Sequence, residues 1–582
     1  MSVRPFVPTL EQKSVIEHCG NAFISACPGA GKTQVLVERA RKELKNTASG
    51  QGLAFLSFTN AAISELKRRL QLEALLLSPP FPHYVGTFDT FIWQFFIAPL
   101  GVPGHTIAPQ LIPDMDARCV KAYPGAQGIP LSCFDRTTGA IIADKAKQEG
   151  FDPANKTARL ITQYEEVARQ CRARFMARGE LGFSDVRTVV KEHLSNVPLS
   201  AKLSVALAAR FREIIVDEAQ DCNPADIEII NWLRRAGIVT KVICDPHQSI
   251  YEFRGGVTDQ LFALRDSFGA SERLTMSGNF RSNANICKAI AAFRAPADQQ
   301  AIDQPLGRAA NDPTHIHVLL YSGTSVPLTI GRKFEELLRT ASLSPADCPV
   351  VSSTKDSACK AIGQTVDPSS QDRTLRLALA VASFHIGQEV NARKMAMEAM
   401  HKIILELEGH LGEKTYSQHV TAEGLKPEDW RPCVLQVLQC LRFDPATDSS
   451  ADTWLTRAKT LLTPHLAAGG SSIAQMLRRH QDLAAVFTAT PVASLTAKTI
   501  HSVKGMQFPG ICVILTTKTA KSLIDYLTTG QPPEMAESAR KLYVAASRAE
   551  RLLVIAVPRS QGSRLAAHIS NTSAQVTQIT LT

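Results

Sequence analysis

No run in the chain approaches the roughly 18 apolar residues that a membrane-spanning helix needs, which excludes a helical membrane anchor. Its thirteen cysteines are scattered, with no C-x-x-C pair and no histidine neighbours at zinc spacing. An odd, dispersed set of this kind excludes a disulfide frame and a zinc module and points to buried free thiols in a reducing compartment. The opening stretch "MSVRPFVPTLEQ" lacks the basic-then-apolar pattern of a secretory signal, so the expected location is the cytoplasm. Internal repeats and low-complexity tracts are also missing, which excludes a solenoid.

What is there is ample. A chain of 582 residues predicts three or four folded units, and 45% apolar with 20% charged residues supplies several cores. The net charge of +10 favours a polyanionic partner without identifying one. Ala22–Ala26 reads as a short buried strand, Gly31 onward as a helix, Leu53–Phe58 as a second strand and Ala61–Leu70 as an amphipathic helix. The basic residues of that last helix, in "ELKRRL", read as a solvated outer face. Prolines and glycines thicken from Pro99 to Pro130 and mark departure into an inserted unit, where "ITQYEEVARQCRARFMARGEL" returns as helix. The α/β pattern resumes at "FREIIVDEAQD" and continues through "KVICDPHQSIYEF" and "CPVVSS". Helices take over from about Leu375 to Gln481, and strand signals return at "ASLTAKTIHS", "GICVILT" and "RLLVIAV". The pattern is an α/β core interrupted twice by helical insertions.

One stretch carries chemistry on its face. Ala26 to Thr33, "ACPGAGKT", fits the phosphate-loop pattern in which Pro28, Gly29, Ala30 and Gly31 let the backbone wrap a phosphate at a helix N-terminus. Lys32 would reach the β- and γ-phosphates and Thr33 would ligate Mg²⁺. Residue usage gives roughly one chance match in twenty-five chains of this length, and the strand–loop–helix setting lowers that further. Such a loop needs an acidic partner at the end of another strand. The run Ile214–Val216 followed by Asp217 and Glu218 supplies it, with Asp217 placed for Mg²⁺ and Glu218 for polarising the attacking water.

"DEAQD" followed by "CDPHQSIYEFRGG" resembles motifs II and III of the UvrD/Rep/PcrA-like superfamily 1A DNA helicases. Other segments fall into that family's order. "TLEQ" (Thr9–Gln12) is similar to the adenine-reading Q motif, "LSFTNAAISELKRRL" to motif Ia, "VGTFDTF" to motif Ib and "LGFSDV" to the segment after the first insertion. "LTMSGNFRS" resembles motif IV, "TIHSVKGMQF" motif V and "KLYVAASRAE" motif VI. The resemblance implies an α/β fold of two RecA-like P-loop motor domains, each interrupted by a mainly helical insertion. Residues 1–91 with 187–275 would form the first motor domain and 276–363 with 490–582 the second; the insertions would be 92–186 and 364–489. By the same resemblance Gln12 and Arg39 would contact adenine, Phe280 would stack on it and Gln507 would hold the ribose. Gln248 would sense the γ-phosphate, and Arg281 and Arg548 would stabilise charge on the transferred phosphoryl group. Phe58, Tyr251 and Phe253 match positions that stack on unpaired bases, while Thr59, Asn60, Thr87, Arg254 and His501 match contacts to the strand's backbone. Phe58 and Phe253 read equally well as core aromatics when the residues are taken alone.

The implied activity is a Mg²⁺-ATP-driven single-stranded DNA translocase that unwinds duplex 3′→5′, with single strands and single/double-strand junctions as partners. Several features depart from the family pattern. Asp89 stands in motif Ib where histidine is common, Gln507 replaces the ribose-holding glutamate, and the second insertion is short and lacks a Gly-Ile-Gly loop. The sequence is expected to end soon after motif VI without a nuclease motif. Compact members of this kind resemble helicase subunits paired with nucleases in bacterial defence systems such as Gabija, which implies a nuclease partner. Two further readings therefore stand beside the motor: a subunit that senses ATP and DNA ends to regulate a nuclease, and an RNA helicase. Antiviral defence and DNA repair both remain open as pathways.

Overall fold

Two six-stranded sheets carry one of the two units into which the chain separates, a unit made of 1–92, 191–366 and 491–582; the other unit is 93–190 with 367–490. The computed structural model describes residues 6–44, 50–75, 80–136, 138–250, 258–363, 372–386, 390–411, 415–464, 466, 472–480, 483–488 and 495–581. Its first sheet contains β1 (Ala22–Ala26), β2 (Gly52–Ser57), β3 (Tyr84–Thr87), β4 (Phe211–Asp217), β5 (Val239–Cys244) and β6 (Arg273–Met276), in the order β6-β1-β5-β4-β2-β3. All its pairings are parallel. Parallel strands covered on both faces must be apolar on both, and β2 is buried at every residue, as β4 is from Glu213 to Asp217.

Three helices of this half frame the loop between β1 and the helix after it. Helix α1 (Leu10–Glu17) starts with a reciprocal cap: Thr9 Oγ1 accepts the Gln12 N–H at 3.2 Å and Gln12 Oε1 accepts the Thr9 N–H at 3.0 Å. Helix α2 (Lys32–Leu44) buries Val35, Leu36 and Val37 against the sheet's core. Helix α3 (Asn60–Leu72) is capped by Thr59, whose hydroxyl accepts the Ala62 N–H at 3.3 Å.

The second sheet is parallel throughout as well. It contains β7 (Ile316–Tyr321), β8 (Val350–Ser352), β9 (Ala497–Thr499), β10 (Phe508–Ile514), β11 (Ala549–Pro558) and β12 (Val576–Thr580), ordered β9-β8-β10-β11-β7-β12. Helices α4 (Ala284–Ala291) and α5 (Ala536–Ala546) pack their small apolar faces onto it. The segment leaving β6 bridges the two sheets: the Phe280 N–H donates to Gly29 O at 2.9 Å, and Ser282 Oγ donates to Ala549 O at 2.7 Å.

The other unit has two apolar cores. One gathers Phe134, Phe151, Tyr164 and Phe175 beneath the helix Ala158–Ala177. The other surrounds the buried Trp454, whose indole N–H donates to Leu441 O at 2.7 Å, among the helices Arg373–Ile386, Val390–Leu407, Pro427–Cys440 and Ala451–Leu462. Thr415 Oγ1 donates to Asp114 Oδ1 at 2.8 Å and ties the two stretches of this unit together. Between Ala98 and Ile142 the described chain runs in turns, two-residue ladders and the short 3₁₀ helices Met115–Ala117 and Leu131–Cys133 rather than α-helix. Pro99, Pro103, Pro109, Pro113, Pro124 and Pro130 remove the amide donors a helix would need there. Among the described residues no helix is long and apolar enough to cross a membrane.

Candidate functional site

β1 ends at Ala26 and α2 starts at Lys32, so the intervening loop reverses sharply. Gly29 and Gly31 sit at φ +72° and +76°, a region that glycine enters at no steric cost. Space demands glycine too. A Cβ on Gly29 would lie 2.6 Å from Asn279 Oδ1 and 2.7 Å from Arg281 Cβ, and one on Gly31 would lie 3.0 Å from Gln12 Nε2. The loop from Pro28 to Gly31, with Lys32 and Thr33 opening α2, lines a cleft of about 970 Å³, a size typical of small-molecule sites.

Across the cleft floor, β4 ends at Asp217 beside Ser57 of β2. Glu218 comes next at φ 57°, ψ 38°, a left-handed conformation that costs a residue with a side chain about 1–2 kcal/mol. The turn brings Glu218 Oε1 to 3.2 Å from Lys32 Nζ, and Gln220 Nε2 donates to the other carboxylate oxygen. Burial and then the adjacent Glu218 push the Asp217 carboxyl up. Burial would raise Glu218 as well, but Lys32 and Lys504 outweigh it and hold that carboxylate well below the usual range. Lys32 is raised in turn, since Glu218, Asp217 and Asp245 overcome the burial that would lower it. Leu36, Leu66 and Ile215 give a small cavity of about 10 Å³ a mostly apolar lining, and its oxygens come from Thr33, Asp217 and Ser57, whose buried Oγ has no hydrogen-bond partner. These are hard oxygen donors, the kind that suit Mg²⁺ and its waters.

The segment leaving β6 and the second sheet contribute cations. Arg548 Nη2 donates to Gln248 Oε1, and Arg281 Nη1 donates to Ser547 O at 2.8 Å. Lys504 forms a buried ion pair with Asp221 and donates to Gln248 O at 3.2 Å. Burial, then the neighbouring Arg548, push Arg281 down to about 9, and its buried Nε has no partner. Burial lowers Arg548 as well. A half-buried and a buried guanidinium, both held below their ordinary values beside a glycine-lined loop, fit a polyanion such as a nucleoside triphosphate.

The cleft lining also includes Phe280, 36% exposed, and the exposed Gln507. Arg39 is not there, contrary to the expectation of an adenine contact. It is buried, with Nε and Nη2 on the Glu213 carboxylate at 3.1 and 2.5 Å and Nη1 on Ile16 O at 2.7 Å. Position 39 lies on the face of α2 turned into the core, so its charge is consumed inside the fold. Gln12 is also buried: its Nε2 donates to Ala30 O at 2.9 Å, bracing the loop. The cleft wall is made instead by Gln34 and by Glu65 and Arg69 of α3. Arg69 Nη1 donates to Gln34 Oε1 at 3.2 Å and Arg69 Nε to Glu65 Oε1 at 2.6 Å. The i, i+4 spacing of Glu65 and Arg69, one turn beyond Ala61 and Ala62, was the available signal.

Among the expected strand contacts, Phe58, Thr59 and Asn60 lie just past β2, and Thr87 ends the edge strand β3 in register with Ser57. The half-buried Phe58 ring stacks on buried Phe88, with centroids 5.1 Å apart and 22° between planes. Thr59 also reaches the cleft. His501 lies just past β9, the edge strand of the second sheet, and burial together with Lys541 lowers its imidazole. Tyr251, Phe253 and Arg254 lie outside the described residues. Asp245, Lys504 and Tyr543, which join this centre through buried hydrogen bonds, were not singled out from the sequence.

Comparison with known proteins matches residues 9–269 to the family described as UvrD/REP helicase N-terminal domain. The chain is 26% identical over 292 residues to a DNA helicase II of Haemophilus influenzae, covering 47% of this chain and 38% of that protein. It is 24% identical over 297 residues to an ATP-dependent DNA helicase UvrD1 of Mycobacterium bovis (48% and 38% covered). A probable DNA helicase II homolog of Rickettsia conorii is 26% identical over 313 residues (50% and 45% covered). The chain thus spans less than half the length of these curated relatives.

Proposed function

We propose that this UvrD-like chain, which carries a UvrD/REP helicase N-terminal domain over residues 9–269, is an ATP-driven single-stranded DNA translocase and 3′→5′ DNA helicase. The observation that carries the reading is the convergence of Arg548, beside β11 of the second sheet, and Arg281, from the segment that links the two sheets, on the same cleft as Lys32 and Glu218 of the first. A site built from both sheets makes nucleotide occupancy and the approach of the sheets one event, which is the two-state element a motor requires.

The geometry supports the following residue roles. Lys32 neutralises phosphate oxygens and thereby releases Glu218, which accepts a proton from the attacking water. Thr33 and Asp217 would hold Mg²⁺, which supplies charge neutralisation on the phosphates when bound. Arg281 and Arg548 stabilise charge at the γ-position, and Gln248 links that charge to the first sheet. Phe280 offers a ring face to the base, with Gln34 and Arg69 as the polar wall of the same cleft and Gln507 near the ribose. Phe58 stacks on exposed bases of the DNA track while Thr59, Asn60, Thr87 and His501 meet its backbone.

Two assays test this. ATP turnover should rise strongly with single-stranded DNA and vanish in Lys32→Ala. Strand displacement should start from 3′ tails; displacement from 5′ tails alone would overturn the polarity. DNA-independent turnover with DNA binding intact would favour the alternative, a regulatory subunit of a nuclease complex.

A further inference from the structure

Behind the contact between Gln248 and Arg548 lies a buried run of hydrogen bonds to which ATP hydrolysis itself gives no task. Asp245, just past β5, is 1% exposed. Its Oδ1 accepts the His247 N–H at 3.0 Å, and its Oδ2 accepts both Gln248 Nε2 at 2.7 Å and Tyr543 Oη at 3.2 Å. Tyr543 lies on α5 of the second sheet and is fully buried. Its hydroxyl oxygen accepts from Arg294 Nη2 at 3.4 Å, and Arg294 is itself paired with Asp303 at 2.5 Å. Helix α5 grips the same turn twice more. The Tyr543 ring meets His247 edge-on at 5.7 Å between centroids, and Arg540 Nε donates to Ser249 O at 2.6 Å.

A glutamine amide has two different ends. Gln248 can offer its carbonyl oxygen to the Arg548 guanidinium only while its NH₂ faces an acceptor on the other side. Asp245 is that acceptor. Turned over, the amide would set NH₂ against guanidinium, two donors with nothing between them. A carboxylate free to rotate would lose this control; the His247 N–H holds Oδ1 within its own turn, and the hydroxyl of Tyr543 holds Oδ2 from the side of the second sheet.

We propose that Tyr543 is a positioning residue: its hydroxyl fixes Asp245, Asp245 fixes the orientation of the Gln248 amide, and the γ-phosphate contact of Gln248 and Arg548 therefore forms only when α5 is docked. The inference rests on the proposed nucleotide site. It makes the docking of one helix a condition for turnover, since helix, sensor and arginine are set by the same hydrogen bonds.

The experiment is steady-state ATP turnover of the full chain at saturating single-stranded DNA, for wild type, Tyr543→Phe, Gln248→Ala and the double variant. Phenylalanine keeps the ring packing and removes only the hydroxyl. The expected result is a roughly tenfold fall in kcat for Tyr543→Phe, as one buried hydrogen bond to a carboxylate warrants, with KM changed less than about twofold. In the Gln248→Ala background the same substitution should change kcat by less than about twofold, because the group it acts through is gone. A wild-type kcat in Tyr543→Phe, or a tenfold loss that persists without Gln248, would overturn the proposal. Should Tyr543→Phe fail to fold, Asp245→Asn puts the same question, with the same kcat loss expected and wild-type kcat as the refuting result. A wild-type chain without turnover refutes the motor reading and this inference together, whereas an active wild type with an indifferent Tyr543→Phe refutes the inference alone.

Discussion

Replacing Arg39 with methionine separates two accounts of that residue. In the structure its guanidinium is buried, doubly bonded to Glu213 and bonded to Ile16 O. Removing one partner of a buried pair costs about 3–5 kcal/mol, because the other charge is left in a medium that cannot solvate it. Here the loss falls at the lower end, near 3 kcal/mol, because Lys241 Nζ lies 3.7 Å from the same carboxylate and stays. At about 2 °C per kcal/mol for a large cooperative unit, melting should drop by about 6 °C. The assay is a calorimetric melt without nucleotide, so that binding does not mask the change, followed by ATP binding well below the melt. ATP affinity should remain within about twofold of wild type. An unchanged melting temperature with ATP affinity reduced tenfold would refute the reasoning and return Arg39 to the nucleotide.

Three other outcomes are expected. Glu218→Gln should bind ATP normally and lose turnover by about 10²–10⁴-fold in a rapid-quench assay, and wild-type rates would remove Glu218 from the chemistry. Arg69→Ala should weaken ATP binding about threefold to tenfold by titration calorimetry while leaving pyrophosphate binding unchanged; equal losses for both ligands would mean that Arg69 acts by general charge and not at the base. Lys241 supplies a pH test. Burial, with Arg39 adding to it against the opposing pull of Glu213, lowers its ammonium from 10.5 to about 8. The unfolded chain therefore binds more protons than the folded one between those values, and stability should rise as pH climbs from about 8 towards 10.5. Lys241→Met should flatten that rise in urea melts, and an identical slope in both proteins would count against the assignment.

The residues that local pattern could find share a property: their partners are close in the chain. Gly29 to Thr33 turn between one strand and one helix, and Asp217 with Glu218 ends an apolar run. The strands read from the sequence were legible for the same reason, whereas β7 and β12 were not read. Arg39 was misjudged because Glu213, the group that decides its fate, is 174 positions away. Lys504 and Asp221 are 283 apart and Tyr543 and Asp245 are 298 apart, so neither pair leaves a local periodic trace. Arg69 was visible as a charge on a helix face; what the sequence withheld was that this face borders a cleft and not bulk solvent. Phe58 read equally well as core or as platform, and the stack on Phe88 accounts for one of its two ring faces.

Gly29 gives the molecule a point of extreme proximity. Its Cα faces Asn279 and Arg281 so closely that a single methyl would fall 2.6 and 2.7 Å from their atoms. An alanine there is a wedge one carbon wide, driven between the phosphate loop and the segment that leads into the second sheet. Such a variant would hold Arg281 back from the loop and leave each sheet intact. The smallest residue in the chain is thus the clearance that lets the loop and the linking segment meet.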